Sequence, residues 1–116
     1  MNINKELVGA STGILILKVL ARNPNYGYEI VKQVNDASGD FFTWQEGTIY
    51  PALRKLEKEG LLRSQWESTD SKRKRKYYYI TAKGREALTE GAKEWNGFYQ
   101  LIMRMVEVPD VGYYQS

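Results

Sequence analysis

A mostly helical α+β fold, a winged helix-turn-helix followed by a long C-terminal dimerisation helix, is predicted by three features of this 116-residue chain. Apolar residues recur at helical spacing in several stretches, each bounded by turn or capping residues. Two strand-like runs flank a basic, polar turn between residues 61 and 81. Residues 82–106 carry a regular apolar repeat that no chain of this size can cover with its own core.

The first helix is read over residues 5–22, "KELVGASTGILILKVLAR", ended by the turn "NPN". Its apolar residues divide into two stripes: Leu15, Ile16, Val19 and Leu20 suit the domain's own core, whereas Leu7, Ser11, Ile14 and Lys18 face something else. Asn25 is placed to cap the next helix, "YGYEIVKQVNDAS", whose Ile30, Val31 and Val34 form an apolar face before Gly39 stops it.

Thr43 and Glu46 have the spacing of a capping box, so a third helix is expected from about Trp44. Ile49, Ala52, Leu53 and Leu56 share one arc of its wheel, and Tyr50, Pro51, Arg54, Lys55 and Lys58 the other. Gly60 closes it. Pro51 lacks the N–H of an interior helical residue and presses its ring toward the carbonyl of Gly47, which has the freest backbone. Two outcomes are open: a helix that bends at Pro51, or a helix that starts there with residues 44–50 as a separate turn.

The segments "LLRSQWES" and "KYYYIT" read as a β-hairpin around "TDSKRKR". Thr81 caps a last helix from Ala82 to Val106, in which Leu88, Ala92, Trp95, Tyr99, Ile102 and Val106 recur at alternating spacings of four and three. Such a helix is ~37 Å long at 1.5 Å per residue, so much of its stripe is wet in a monomer and a second copy of the chain is the economical cover. The expected organisation is therefore residues 1–81 as the winged unit, 82–106 as the dimerisation helix and 107–116 as a loosely ordered tail.

Composition narrows the function. The chain has no cysteine and no histidine, which removes disulfides, thiolate chemistry and the commonest general base and metal ligand. Acidic pairs such as Glu57 with Glu59 or Glu86 with Glu90 lie in charge-mixed helical stretches that read as solvated faces, and no glycine loop has phosphate-binding spacing. No enzyme activity, metal or cofactor is expected. Without a long apolar run or a leader-like start, a soluble, cytoplasmic protein with no membrane partner is expected.

The net charge of +3 hides an asymmetry. Lys and Arg number 4 against 5 acids in residues 1–53, 9 against 4 in 54–76, and 4 against 5 in 77–116. The excess sits in the third helix and the hairpin loop, as a polyanion-binding surface requires.

Within this architecture, "YGYEI" at 26–30, "EGTIYPALRKLEKEGLL" at 46–62 and "RKYYYITAKGREAL" at 75–88 together resemble the PadR family of bacterial transcriptional regulators, and the short chain with one C-terminal helix resembles the family's smaller subclass, which includes multidrug-sensing members. The resemblance implies a homodimeric repressor that binds a two-fold operator in double-stranded DNA, with the third helix in the major groove and the wing on the backbone or minor groove. It makes Pro51 a regular feature of the reading helix. It also implies that Trp95 meets its dimer mate to form a flat, apolar slot for a small aromatic or cationic effector. Read from the residues alone, Trp95 is either a tryptophan packed in the dimer seam or such a ligand platform, and in the second case Leu7 and Ile14 on the free stripe of the first helix and Tyr99 one turn further on are its walls. Around that position the chain departs from the pattern, with Ala92, Glu94, Asn96 and Tyr99 as neighbours and Gly91 and Gly97 each weakening the helix by roughly 1 kcal/mol against Ala.

The expected DNA contacts are Thr48, Tyr50, Pro51, Arg54 and Lys55 of the reading helix and Lys72, Arg73, Lys74 and Arg75 of the wing, with Arg54 as base reader. The expected dimer contacts are Leu88, Ala92, Trp95, Ile102 and Val106. The competing expectation is a winged-helix interaction module that binds protein or an acidic surface through the same cations without sequence-specific DNA binding.

Overall fold

The computed structural model describes residues 5–39, 43–69 and 73–106. Lys72 and the tail 107–116, both subjects of expectations above, lie outside them. The order of elements is α1 (Lys5–Arg22), β1 (Asn25–Tyr26), α2 (Gly27–Ser38), α3 (Glu46–Lys58), β2 (Leu62–Ser68), β3 (Lys74–Ile80) and α4 (Ala82–Val106). This is the mostly helical winged helix-turn-helix that the sequence predicts, with β3 at the centre of an antiparallel β1-β3-β2 sheet.

The core forms where α1, α2 and α3 meet. Ile16, Ile30, Ile49 and Leu53 are completely buried, with Leu17, Leu20, Val31, Val34, Leu56, Leu62 and Tyr78 around them. The inner stripe of α1 is wider than expected, because Leu17 also points inward while Leu15 and Val19 are only partly covered. Thr12 is buried too, and its hydroxyl donates to the Val8 carbonyl at 2.7 Å, which keeps a polar group in that stripe at little cost.

Two starts differ from expectation. Asn25 does not cap α2: Tyr26 is the N-cap and makes no side-chain cap bond, while Asn25 pairs with Tyr78 as the first residue of β1. A third sheet strand competes for Asn25 and wins. Likewise α3 begins at Glu46 with an extended Gln45 as N-cap, two residues beyond the Thr43 start. Trp44 is drawn into the core at 3% exposure, and the Asn35 side chain holds it there by accepting from its N–H at 2.6 Å and donating to its carbonyl at 2.9 Å. This clamp joins α2 to the start of α3.

The helix runs without interruption through Pro51, so the alternative of a helix starting at Pro51 is overturned. Gly60 ends it in a left-handed turn at φ 81°, with the Leu61 N–H bonded to the Leu56 carbonyl at 2.9 Å.

The start of α4 is seated on that turn. The Thr81 hydroxyl caps the helix by accepting from the Gly84 N–H at 3.0 Å and donates to the Gly60 carbonyl at 2.8 Å. Lys83 donates to the Glu59 carbonyl at 2.9 Å, one of the carbonyls left over at the end of α3. A Cβ on Gly84 would stand 2.2 Å from the Leu61 carbonyl oxygen, so only glycine allows this approach. Among the described residues no helix is long and apolar enough to cross a membrane.

Candidate nucleic-acid interface

On the outer side of α3, Thr48, Tyr50, Pro51, Arg54 and Lys55 are all exposed, as the wheel requires once Ile49, Leu53 and Leu56 are committed to the core. The five are therefore brought onto one accessible face. Tyr50 is the most constrained of them: its ring lies directly against Gly27 at the start of α2, 2.7 Å from where a Cβ there would be.

The strand β3 begins two residues earlier than the sequence reading places it, at Lys74, so Lys74 and Arg75 join Lys76 in a pleated strand instead of lying in a loop. Consecutive side chains then point to opposite faces of the sheet. Lys74 and Lys76 share the face that carries Tyr78, Ser64 and Trp66, and the Ser64 hydroxyl donates to Glu57 of α3 at 2.7 Å, which identifies this as the side turned to α3. Arg75 goes to the other face, where its guanidinium stacks 4.3 Å above the ring of Tyr26, itself edge-on to Tyr77 with centroids 5.4 Å apart. Arg73 precedes the strand and is exposed.

Between α3, the start of α2 and this hairpin lies an open groove of about 640 Å³. Arg54, Arg73, Lys74, Arg75 and Lys76 line it together with the aromatic rings of Tyr26, Tyr28, Tyr50, Trp66 and Tyr78, and among the described residues no carboxylate lines it. Burial pushes the Tyr78 phenol above its usual range, Glu57 pushes the same way and Arg54 opposes them, so this tyrosine stays protonated beneath the cations at neutral pH. On the far face of the sheet the Tyr79 hydroxyl donates to Glu67 and is likewise held protonated, while Arg63 stacks 4.3 Å from its ring.

Sequence reasoning named Arg54, Tyr50, Arg73, Lys74 and Arg75 but missed Lys76, Tyr28 and Trp66. The alternation that separates Lys74 and Lys76 from Arg75 is the signal that finds Lys76. Nothing local marks Tyr28, whose place in the groove depends on β1.

A second groove of about 610 Å³ lies between the first turns of α1 and the middle of α4, lined by Glu6, Leu7, Ala10, Glu94, Trp95 and Phe98. It unites two of the four residues expected there, Leu7 and Trp95. Ile14 is not among its lining residues: its Cδ1 lies 3.1 Å from where a Cβ on Gly91 would be, so Gly91 makes room for α1 instead of for a ligand. Tyr99 is 55% exposed and also lies outside the groove. The carboxylates Glu6 and Glu94 were not foreseen.

Of the residues expected in a seam between copies, Leu88 packs on its own core, and Trp95 is half-buried against its own α1. Ala92, Ile102 and Val106 are exposed. Phe98, Tyr99, Leu101, Met103 and Met105 are exposed as well, so the second half of α4 presents a largely apolar surface.

Residues 16–90 match the Transcriptional regulator PadR-like family. A transcriptional regulator of Mycobacterium tuberculosis is 35% identical over 86 residues, 74% of this chain and 77% of that one. The negative transcriptional regulator PadR of Bacillus subtilis is 30% identical over 73 residues; these make up 63% of this chain but only 40% of that protein's length. A solved structure of a transcriptional regulator from Clostridium thermocellum superposes with a TM-score of 0.82 at 28% identity, covering 90% of this chain and 99% of the other.

Proposed function

The chain belongs to the PadR-like family of transcriptional regulators, and on that premise we propose that it is a homodimeric, DNA-binding repressor released by a small planar cation. The observation that carries the DNA-binding reading is the groove between α3 and the hairpin, lined by cations of both elements and, among the described residues, by no carboxylate. A polyanion entering it releases condensed counterions at every neutralised phosphate, while Arg54 on the exposed face of α3 has the fork that takes both acceptors of a guanine edge. The hairpin cations hold the duplex and α3 reads it.

Repression is supported by likeness to the negative regulator of Bacillus subtilis. Dimerisation is supported by the bare apolar half of α4, where Met105 is 74% and Val106 61% exposed. A two-fold dimer presents two reading helices to a two-fold operator about one DNA turn, ~34 Å, apart. The groove at Trp95 supports the effector: its indole offers a flat apolar wall and Glu6 and Glu94 add negative charge, a combination that suits a planar cation over a neutral or anionic ligand. Binding there wedges α1 and α4 and lowers operator affinity through its preference for the DNA-incompetent state.

The experiment is an anisotropy titration of duplexes tiled from the gene's upstream region against scrambled duplexes at about 150 mM salt, repeated with planar cationic and phenolic compounds. Retained binding to one two-fold segment with loss of the scrambled control supports the regulator. Equal binding to both supports an interaction module that uses its cations without reading sequence.

A further inference from the structure

We propose that Tyr28 and Trp66 form an aromatic clamp that grips one DNA strand from its two sides, contacting the apolar faces of the deoxyribose units while the neighbouring cations take the phosphates. The proposal rests on the DNA-binding reading above and adds to it a class of contact that carries no charge.

The two rings come from elements far apart in sequence, the start of α2 and the strand β2, and both line the same groove as Arg54, Lys74 and Lys76. Neither is needed by the core. Tyr28 is 55% and Trp66 65% exposed, the latter an indole left in water on a two-sided hairpin. Trp66 sits directly across from Lys76 on the face turned to α3, so an apolar plate and a cation stand side by side about 5 Å apart, the spacing of cross-strand neighbours.

That pairing matches one kind of surface. A nucleic-acid strand alternates charged phosphates with apolar sugar faces. An acidic protein surface supplies the charges without the regular apolar units. None of the groove's described lining residues is a carboxylate, which fits the same occupant, since an acidic side chain among them would repel the phosphates that the flanking cations attract.

The clamp makes a prediction that a purely ionic groove does not. Removing a cation weakens binding and flattens the salt dependence, because one fewer counterion is released. Removing an apolar contact weakens binding and leaves the salt slope unchanged.

The test measures Kd against salt for the full chain and for Trp66→Ala, Tyr28→Ala and Lys74→Ala on the same operator and on a scrambled duplex. Each aromatic variant is expected to bind both duplexes roughly 3- to 10-fold more weakly at every salt concentration with a parallel slope, whereas Lys74→Ala loses about 0.9 of slope. In parallel, the acrylamide-quenchable fluorescence that Trp66→Phe removes from the wild type should become shielded when the duplex saturates the protein. Trp66→Phe should keep most of the affinity, since it keeps a ring. Wild-type affinity in both alanine variants overturns the clamp and leaves DNA binding standing. A slope lowered by Trp66→Ala also overturns it, because the indole would then act only by placing Lys76. A wild-type chain that binds neither duplex overturns the clamp together with the reading beneath it.

Discussion

The ring of Tyr50 occupies the space that a side chain at residue 27 would need, with three of its atoms within 2.9 Å of a Cβ built on Gly27. Helix α3 is thereby set against the start of α2 by an aromatic residue that is itself an expected DNA contact. Gly27→Ala should push Tyr50 outward and weaken operator binding about tenfold while costing roughly 1–3 kcal/mol of stability from overpacking. In a Tyr50→Ala background the same glycine substitution should change neither. Binding isotherms and thermal melts of the four-member cycle check this, and full additivity would mean that the contact does not position Tyr50.

Wing cations should divide by the face they occupy. Lys74→Ala and Lys76→Ala should each flatten log K against log salt by about 0.9, and both should weaken specific and random duplex alike. Arg75→Ala should do less, because its guanidinium is already stacked on Tyr26. Equal slopes for all three would show that Arg75 leaves that ring when DNA binds.

Arg54 should carry discrimination. Arg54→Ala should narrow the gap between operator and scrambled duplex by about 1–3 kcal/mol, read from competition titrations at one salt concentration. A uniform loss on both sequences would reduce Arg54 to another backbone contact.

The apolar repeat of α4 should split in two. Leu88→Lys places a charge against the chain's own core and should lower the melting temperature of the folded protein. Ile102→Lys with Val106→Lys alters only exposed positions, so circular dichroism should be unchanged while sedimentation reports a monomer. A persistent dimer would move the interface to another face.

The main elements and the core were legible because they rest on periodicity. Ile30, Val31, Val34, Ile49, Leu53 and Leu56 all point inward at helical spacing, and Thr81 caps α4 as its place before the repeat suggests. What escaped depends on partners distant in the chain. Asn25 and Tyr26 are too short a run to show a period of two, and only pairing with Tyr78 and Tyr77 makes them a strand. Lys74 and Arg75 read as loop because a run of charge hides alternation, and the boundary became visible only through their partners in β2. Gly91 reads as a weakness in a helix, whereas it is a point of close approach to Ile14; Gly84, which the sequence did not single out, is another, against the Leu61 carbonyl.

The seat of Gly84 on Leu61 has a mechanical side. The close approach there is to backbone, so the start of α4 is seated against Leu61, and any displacement of the far part of α4 would take the form of a pivot about that seat. Val106 lies ~33 Å beyond that fulcrum and Trp95 about half as far, at 1.5 Å of rise per residue. A swing of about 10° carries the far tip ~6 Å and Trp95 ~3 Å while hardly displacing the heel of the reading helix. Such an arm trades force for distance. A modest wedge at its middle becomes a large movement at the tip, where the bare apolar surface of one chain would meet its mate, and it is through the mate that the separation of two reading helices would be reset.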